Sequence, residues 1–315
     1  MTVVRVATYN LYLGADLTLV FGVESPDHLL RQAKLVHDQL QATDFASRAV
    51  AIAALLEREQ VDVVGLQEVA RWSNARLGPD GNAGEAEVCC DFLEELLAAL
   101  ERAGAPYDAH APNANFNGGA PISGDEAMSV VGHNVILVRR GSGVEVTATS
   151  TGDYATLLEI PTGMRELVLE VGRGWGWVDG VVDGLPFRFV NTHTEAYDEH
   201  TRNAQRDELL AAIGDPGIPV VIAGDFNARP ESVGMPPEYR DAWVAGRGEG
   251  ERHTCCQGAD LANPESALRE RIDYLWVRGA EVRSCRVVGN TATDRTAGTN
   301  LWPSDHACVL ADVSL

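Results

Sequence analysis

No run of about 18 uninterrupted apolar residues occurs in the 315-residue chain, so no membrane-spanning helix is expected. A secretory leader is not signalled either. Met1-Thr2-Val3-Val4-Arg5-Val6 runs straight into a strand-like stretch, without a charged segment, an apolar segment and a cleavage site. A cytoplasmic protein is therefore the expectation. Basic residues are scarce: Lys and Arg total 25 against 46 Asp and Glu, a formal net charge of −21. That shortage counts against a general nucleic-acid binder, which needs cations to replace phosphate counterions. It also counts against long-range attraction to anionic membranes. A small phosphorylated substrate stays compatible, because a bound cation can reverse the local field. Zinc-type CxxC spacing is missing, since the six cysteines are the adjacent pairs Cys89-Cys90 and Cys255-Cys256 plus Cys285 and Cys308. Reduced thiols are the expectation, with a cross-link between the two pairs as the alternative.

Hydrophobic residues make up 45 % of the chain, enough to bury a large core. Periodicity predicts helices over 27–41, 44–58, 86–102 and 198–213, and a continuously apolar, doubly buried strand at Val61–Leu66. Further strands are expected at 3–9, 134–139, 143–150, 165–171, 175–182, 185–192, 218–224, 271–277, 281–288 and 307–313. Residues 104–132 and 229–265, rich in Gly, Pro and Asn, read as long loops that frame a substrate. No linker or low-complexity tract divides the chain, so 1–315 is taken as one domain. Its halves echo each other: strand-helix-strand ending in Glu68, then strand-helix-strand ending in Asp225 and Asn227.

Several apolar runs end in a ligand-type residue. Val6-Ala7-Thr8-Tyr9-Asn10, Val63-Val64-Gly65-Leu66-Gln67-Glu68, Val220-Val221-Ile222-Ala223-Gly224-Asp225-Phe226-Asn227 and Arg271-Ile272-Asp273-Tyr274 share this form. Ser304-Asp305-His306 opens the last run. Buried strands that pool such ends suit a divalent-metal phosphoryl-transfer site. Phosphate ester hydrolysis needs neutralised phosphoryl charge, an activated water and a stabilised leaving oxygen. Glu68 supplies a hard oxygen for Mg²⁺ or Mn²⁺, with Asn10 and Asp305 to complete the sphere. Asp225 is the candidate general base, two residues before Asn227. His306 is a candidate phosphate donor held by Asp273, and His193 a second donor for developing charge.

These pieces, together with Asn191-Thr192-His193, resemble the endonuclease/exonuclease/phosphatase superfamily, the DNase I-like metal-dependent phosphoesterases. The motifs stand in the family's order from residue 8 to residue 306. The resemblance implies an α/β, four-layered αββα sandwich of two packed mixed sheets. It also implies Asn10 and Glu68 at the metal, Asp225 as base, Asn227 orienting phosphate or water, and an Asp-His pair near the phosphate. One of Asp273 and Asp305 is implied to orient His306 and the other to bind metal. The Thr192-His193 piece is similar to the branch of neutral sphingomyelinases, inositol-phosphate phosphatases and DNase I-type nucleases.

The function expected is therefore metal-dependent hydrolysis of a phosphomonoester or phosphodiester of a small molecule or lipid headgroup. A nuclease is the alternative within enzymes, and a catalytically silent binding module the alternative outside them. Around the set, His133, Asp16, Arg202, Gln205 and His253 are weaker candidates, each with a plain structural reading. Trp175 and Trp177 share a strand face and are expected in a core or dimer contact.

Overall fold

A computed structural model describes residues 2–161 and 168–315. In chain order the first half holds β1 (Val3–Asn10), α1 (Pro26–Ala42), α2 (Phe45–Glu59), β2 (Val63–Arg76), β3 (Glu87–Asp91), α3 (Phe92–Arg102), β4 (Tyr107–Pro121) and β5 (Glu126–Arg139). Then come β6 (Glu145–Asp153), β7 (Leu158–Pro161), β8 (Val168–Val171), β9 (Gly174–Val182), β10 (Leu185–His193), α4 (Glu199–Ile213) and β11 (Val220–Asp225). The chain closes with β12 (Arg240–Asp241), α5 (Ala242–Ala245), β13 (Asp273–Arg278), β14 (Glu281–Val288) and β15 (Cys308–Ser314).

One sheet runs β14-β15-β1-β2-β5-β4, with β3 on β2; the other runs β12-β13-β11-β10-β9-β6. Each contains one parallel pair, β1 with β2 and β10 with β11, flanked by antiparallel neighbours. Those pairs are the two halves of the echo. A parallel connection needs a crossover, supplied by α1 and α2 in one case and by α4 in the other.

Strand alternation sorts the core into layers. Val6, Val63, Ile136 and Val309 meet Phe187, Phe189, Val221 and Leu275 between the sheets. Tyr9, Val64, Leu137 and Leu310 face the opposite way, toward Val36, Ile52, Leu56 and Leu96 of the helices. Val190, Val220 and Ile222 pack under Leu209 and Ile213 of α4. The result is α/β/β/α, as the resemblance implies. Side-chain caps fix where the helices start: Ser25 accepts from His28 N, Asp44 from Ser47 N, and Asp198 from Thr201 N.

Three expectations change. Residues 104–132 are not a loop: 107–121 and 126–139 form a long antiparallel hairpin beside β2. Pairing partners, not residue propensity, make these Gly- and Asn-rich segments extended. The helix expected over 86–102 begins only at Phe92, because Asp91 caps it and Glu87–Asp91 pairs with β2. Cys255 and Cys256 are bonded to each other, while Cys89, Cys90, Cys285 and Cys308 are free. The expected strand 165–171 is found as 168–171, and 165–167 lie outside the described residues. Trp175 and Trp177 pack, partly buried, against the α4-side core. Among the described residues no helix is long and apolar enough to cross a membrane.

Candidate active site

The two parallel pairs end at one rim. Register puts Asn10 beside Gln67 in the first sheet and His193 beside Asp225 in the second, with Asp273 facing Asp225 from β13. Gly224 is required there, since a Cβ would collide with the Thr192 carbonyl. Glu68 does not end its strand, as the apolar run suggested. It sits in a bulge between Leu66 and Val69 at φ 55°, and Asn227 is likewise left-handed at φ 48°. A bulge re-aims one side chain off the pleat. Glu68 Oε2 accepts from Leu13 N at 2.9 Å as a result.

Asp225, 1 % exposed, is the centre. Its Oδ2 accepts from Asn10 Nδ2 at 3.0 Å, and its Oδ1 from Asn227 N at 2.9 Å. His193 Nε2 lies 3.5 Å and His306 Nε2 3.8 Å from Oδ2. His306 Nδ1 meets Asp273 Oδ2 at 2.9 Å, and Nε2 lies 3.9 Å from Asp305 Oδ1. The buried Asp273 Oδ1 has no hydrogen-bond partner among the described residues. Asp225, Asp273 and His306 bring one ligand-type atom each within 4.8 Å of one another, but a metal there would have to displace the His306 proton and its bond to Asp273.

Burial and the neighbouring Asp273 push the Asp225 carboxyl up to about 7, against the pull of His306. Burial works against the charged form of His306, yet Asp273, Asp305 and Asp225 outweigh it and raise its pKa well above the ordinary imidazole value. Burial, Arg173 and His306 drive His193 well below that value. One imidazole is thus held cationic and the other neutral. The Asn227 amide bonds His193 Nε2 and Thr194 O, each at 3.0 Å, so the His193 lone pair is turned toward Asn227. Burial and the charge of Glu68 raise Asp305 to about 6, against the pull of His306.

All eight expected site residues therefore gather at one rim. Sequence reasoning missed what holds them. Gln67 Nε2 donates to Asn191 Oδ1 at 2.6 Å, and Asn191 Nδ2 donates to Leu66 O, stitching the sheets. Ser304 Oγ donates to Asn10 O. Arg48, fully buried in α2, donates to Leu11 O, Tyr12 O, Thr43 O and Pro303 O, which ties the Asn10 loop to the Asp305 loop. Thr254 Oγ1 accepts from Ile272 N and Asp273 N, and Gln257 N donates to Asp305 O. An Arg inside the apolar period of α2 was the one signal available in the sequence. The weaker candidates take structural parts. His133 Nδ1 meets Val69 O, Gln205 Oε1 accepts from Glu195 N, Arg202 donates to Glu195 O, and His253 pairs with Glu251. Asp16 both caps the 3-10 turn Leu17–Val20 and lines the cavity beside Glu68, so it does lie near the rim.

The sequence profile of the Endonuclease/Exonuclease/phosphatase family matches residues 7–306. The chain belongs to that family, whose members are hydrolases of phosphate esters. Similar solved structures include an endonuclease/exonuclease/phosphatase from Bacteroides vulgatus, 20 % identical over 100 % of both chains at a TM-score of 0.61. A mannosyl-6-phosphatase of Bacteroides thetaiotaomicron is 18 % identical, covers 99 % of this chain and 100 % of its own, and has a TM-score of 0.62. TDP2 of D. rerio, complexed with a single-strand DNA product, is 17 % identical over 100 % of both chains at 0.61. At these identities the likeness bears on the fold alone. No curated protein matches the sequence.

Proposed function

We propose that the protein is a metal-dependent hydrolase of small-molecule phosphate esters in which Asp225 activates the attacking water. One observation carries the reading: a buried carboxylate, raised to about 7, is fixed by Asn10 and Asn227 between a neutral and a cationic imidazole. A base with a pKa near the working pH is the most effective one. Asp225 takes a proton from water as its oxygen attacks phosphorus, the ester P–O bond opposite breaks, and the leaving oxygen departs with the bonding pair and takes a proton from solvent. His306, protonated and oriented by Asp273, donates to a phosphoryl oxygen as charge develops. His193 holds the Asn227 amide, which orients water or phosphate.

Glu68 and Asp305 suit a hard divalent cation such as Mg²⁺ or Mn²⁺. They are oxygen donors, and a cation would offset both the burial and the Glu68 charge that raise Asp305. Asn10 stands behind them through Asp225. When bound, the ion would neutralise charge on the phosphoryl oxygens. The net charge of −21 favours a small substrate over a nucleic-acid polyanion.

The test is hydrolysis of p-nitrophenyl phosphate and bis(p-nitrophenyl) phosphate with Mg²⁺, with Mn²⁺ and with EDTA. Metal-dependent release of p-nitrophenol is expected, and the preferred ester separates monoesterase from diesterase. Activity that survives EDTA and metal-free buffer would remove the metal from the reading.

A further inference from the structure

Beside the site lies a cavity of about 720 Å³, into which both Glu68 and Asp305 project. Asp305 stands 3.9 Å from His306, so this cavity continues the catalytic rim. A phosphate alone is far too small for it, since cavities of this size take ligands of drug-like bulk. Its walls are mainly hydrocarbon. Leu17, Val20 and Phe21 line one side, and Trp72, Phe116 and Met128 line another. Phe21 and Tyr197, from opposite halves of the chain, meet edge to face at 5.3 Å, and both line the space. Strand β4 contributes Gly118, Gly119 and Ala120, which take up little volume.

Charge in the lining is equally selective. Among the described residues Arg173 is the one basic side chain there, against Asp16, Glu68, Glu170 and Asp305. The Arg173 Nε is buried without a hydrogen-bond partner, and its nearest counter-charge is the buried Glu195 Oε2 at 3.9 Å, an ion pair without a hydrogen bond. One guanidinium with an N–H still to donate serves one phosphate at most. With Glu68 and Asp305 given to the cation, a second phosphate would meet Asp16 and Glu170 instead of a base.

We infer that the substrate is a phosphate ester with a single phosphate and a bulky, apolar organic group, which packs between Leu17, Phe21, Trp72, Phe116 and Met128 while Arg173 faces the phosphate. The inference rests on the phosphoesterase reading for the identity of the reacting group, and on the cavity for everything else.

Two series test it, both with Mg²⁺ present. Alkylphosphonates from methyl to octyl report binding by calorimetry. p-Nitrophenyl alkyl phosphates of the same lengths report hydrolysis with one leaving group throughout. Each added methylene should tighten binding about fourfold, the size expected of burying a CH₂ group, and KM should fall in parallel. Ala120→Trp, which puts an indole on the β4 wall of the cavity, should flatten the dependence on chain length, with the melting temperature checked alongside. Affinity independent of chain length in the wild-type protein would overturn the inference while the phosphoesterase reading stood. Length-dependent binding without hydrolysis of any ester would support the cavity's ligand class and sink the phosphoesterase reading.

Discussion

Asn10, Asp225 and Asp273 are at most 1 % exposed, and each has a hydrogen-bond partner fixed within 3.0 Å. A short way along the chain Leu17, Val20 and Phe21 lie half-buried against the adjoining cavity, on a 3-10 turn whose apolar side chains are placed by packing. The first region is polar, dry and geometrically over-determined. The second is apolar, open and forgiving. Buried polar groups are costly unless satisfied, so each depends on its neighbours. An apolar wall responds to volume, one side chain at a time. Substitutions in the two regions should accordingly differ in size and in kind.

The sharpest contrast comes from Asp225→Asn. It keeps shape and removes the base, so kcat should fall about 10³- to 10⁴-fold with the melting temperature retained. Turnover near the wild-type rate would remove Asp225 from its role. Arg48→Met should come next, and in stability rather than chemistry. Burial lowers the Arg48 pKa to about 10, yet four carbonyls depend on its guanidinium. Leaving them without a donor should cost on the order of 3 kcal/mol in denaturant unfolding. A loss under half of that would mean water replaces the clamp.

Asp273→Asn should lower kcat about 10- to 100-fold, as for groups that orient a functional His. Without that carboxylate His306 loses its main counter-charge, so the pH limb belonging to its protonated form should move to lower pH. An unmoved profile would assign His306 no role as a cation.

The smallest effect lies away from both regions. Burial alone would raise the Asp312 carboxyl, but hydrogen bonds from Arg5 and Ser284 outweigh it and hold it below the ordinary value. A depressed folded-state pKa stabilises above the unfolded pKa and ceases to stabilise as pH falls through the folded value. Asp312→Asn should therefore cost about 1 kcal/mol at neutral pH, given its partial exposure, and nothing in strong acid. Equal melting temperatures at neutral pH would show that the ion pair contributes nothing net.

The floor of the site was legible because its residues sit at strand ends. A buried strand is apolar until it leaves the sheet, so Asn10, His193 and Asp225 stand out by contrast with what precedes them. The doubled strand-helix-strand echo was legible for the same reason and proved to be the two parallel pairs. Glu68 was read correctly as a projecting residue and wrongly as a terminal one, since a bulge leaves no trace in an apolar run. The hairpin of β4 and β5 was missed because Gly- and Asn-rich segments become strands by pairing with a neighbour. Arg173 was missed because its sequence neighbours, Gly172 and Gly174, mark a turn and say nothing of the cavity beyond.

By itself the sequence determined the chemistry: which carboxylates, amides and imidazoles are delivered, in what order, and on which strands, because alternation and strand ends are local properties. Only the tertiary structure decided their charge states and the cavity beside them. Opposite shifts at His193 and His306, the elevation of Asp225, and the apolar cavity all arise from groups distant in sequence. Desolvation and Coulomb interactions depend on separation in space, which the order of residues does not state.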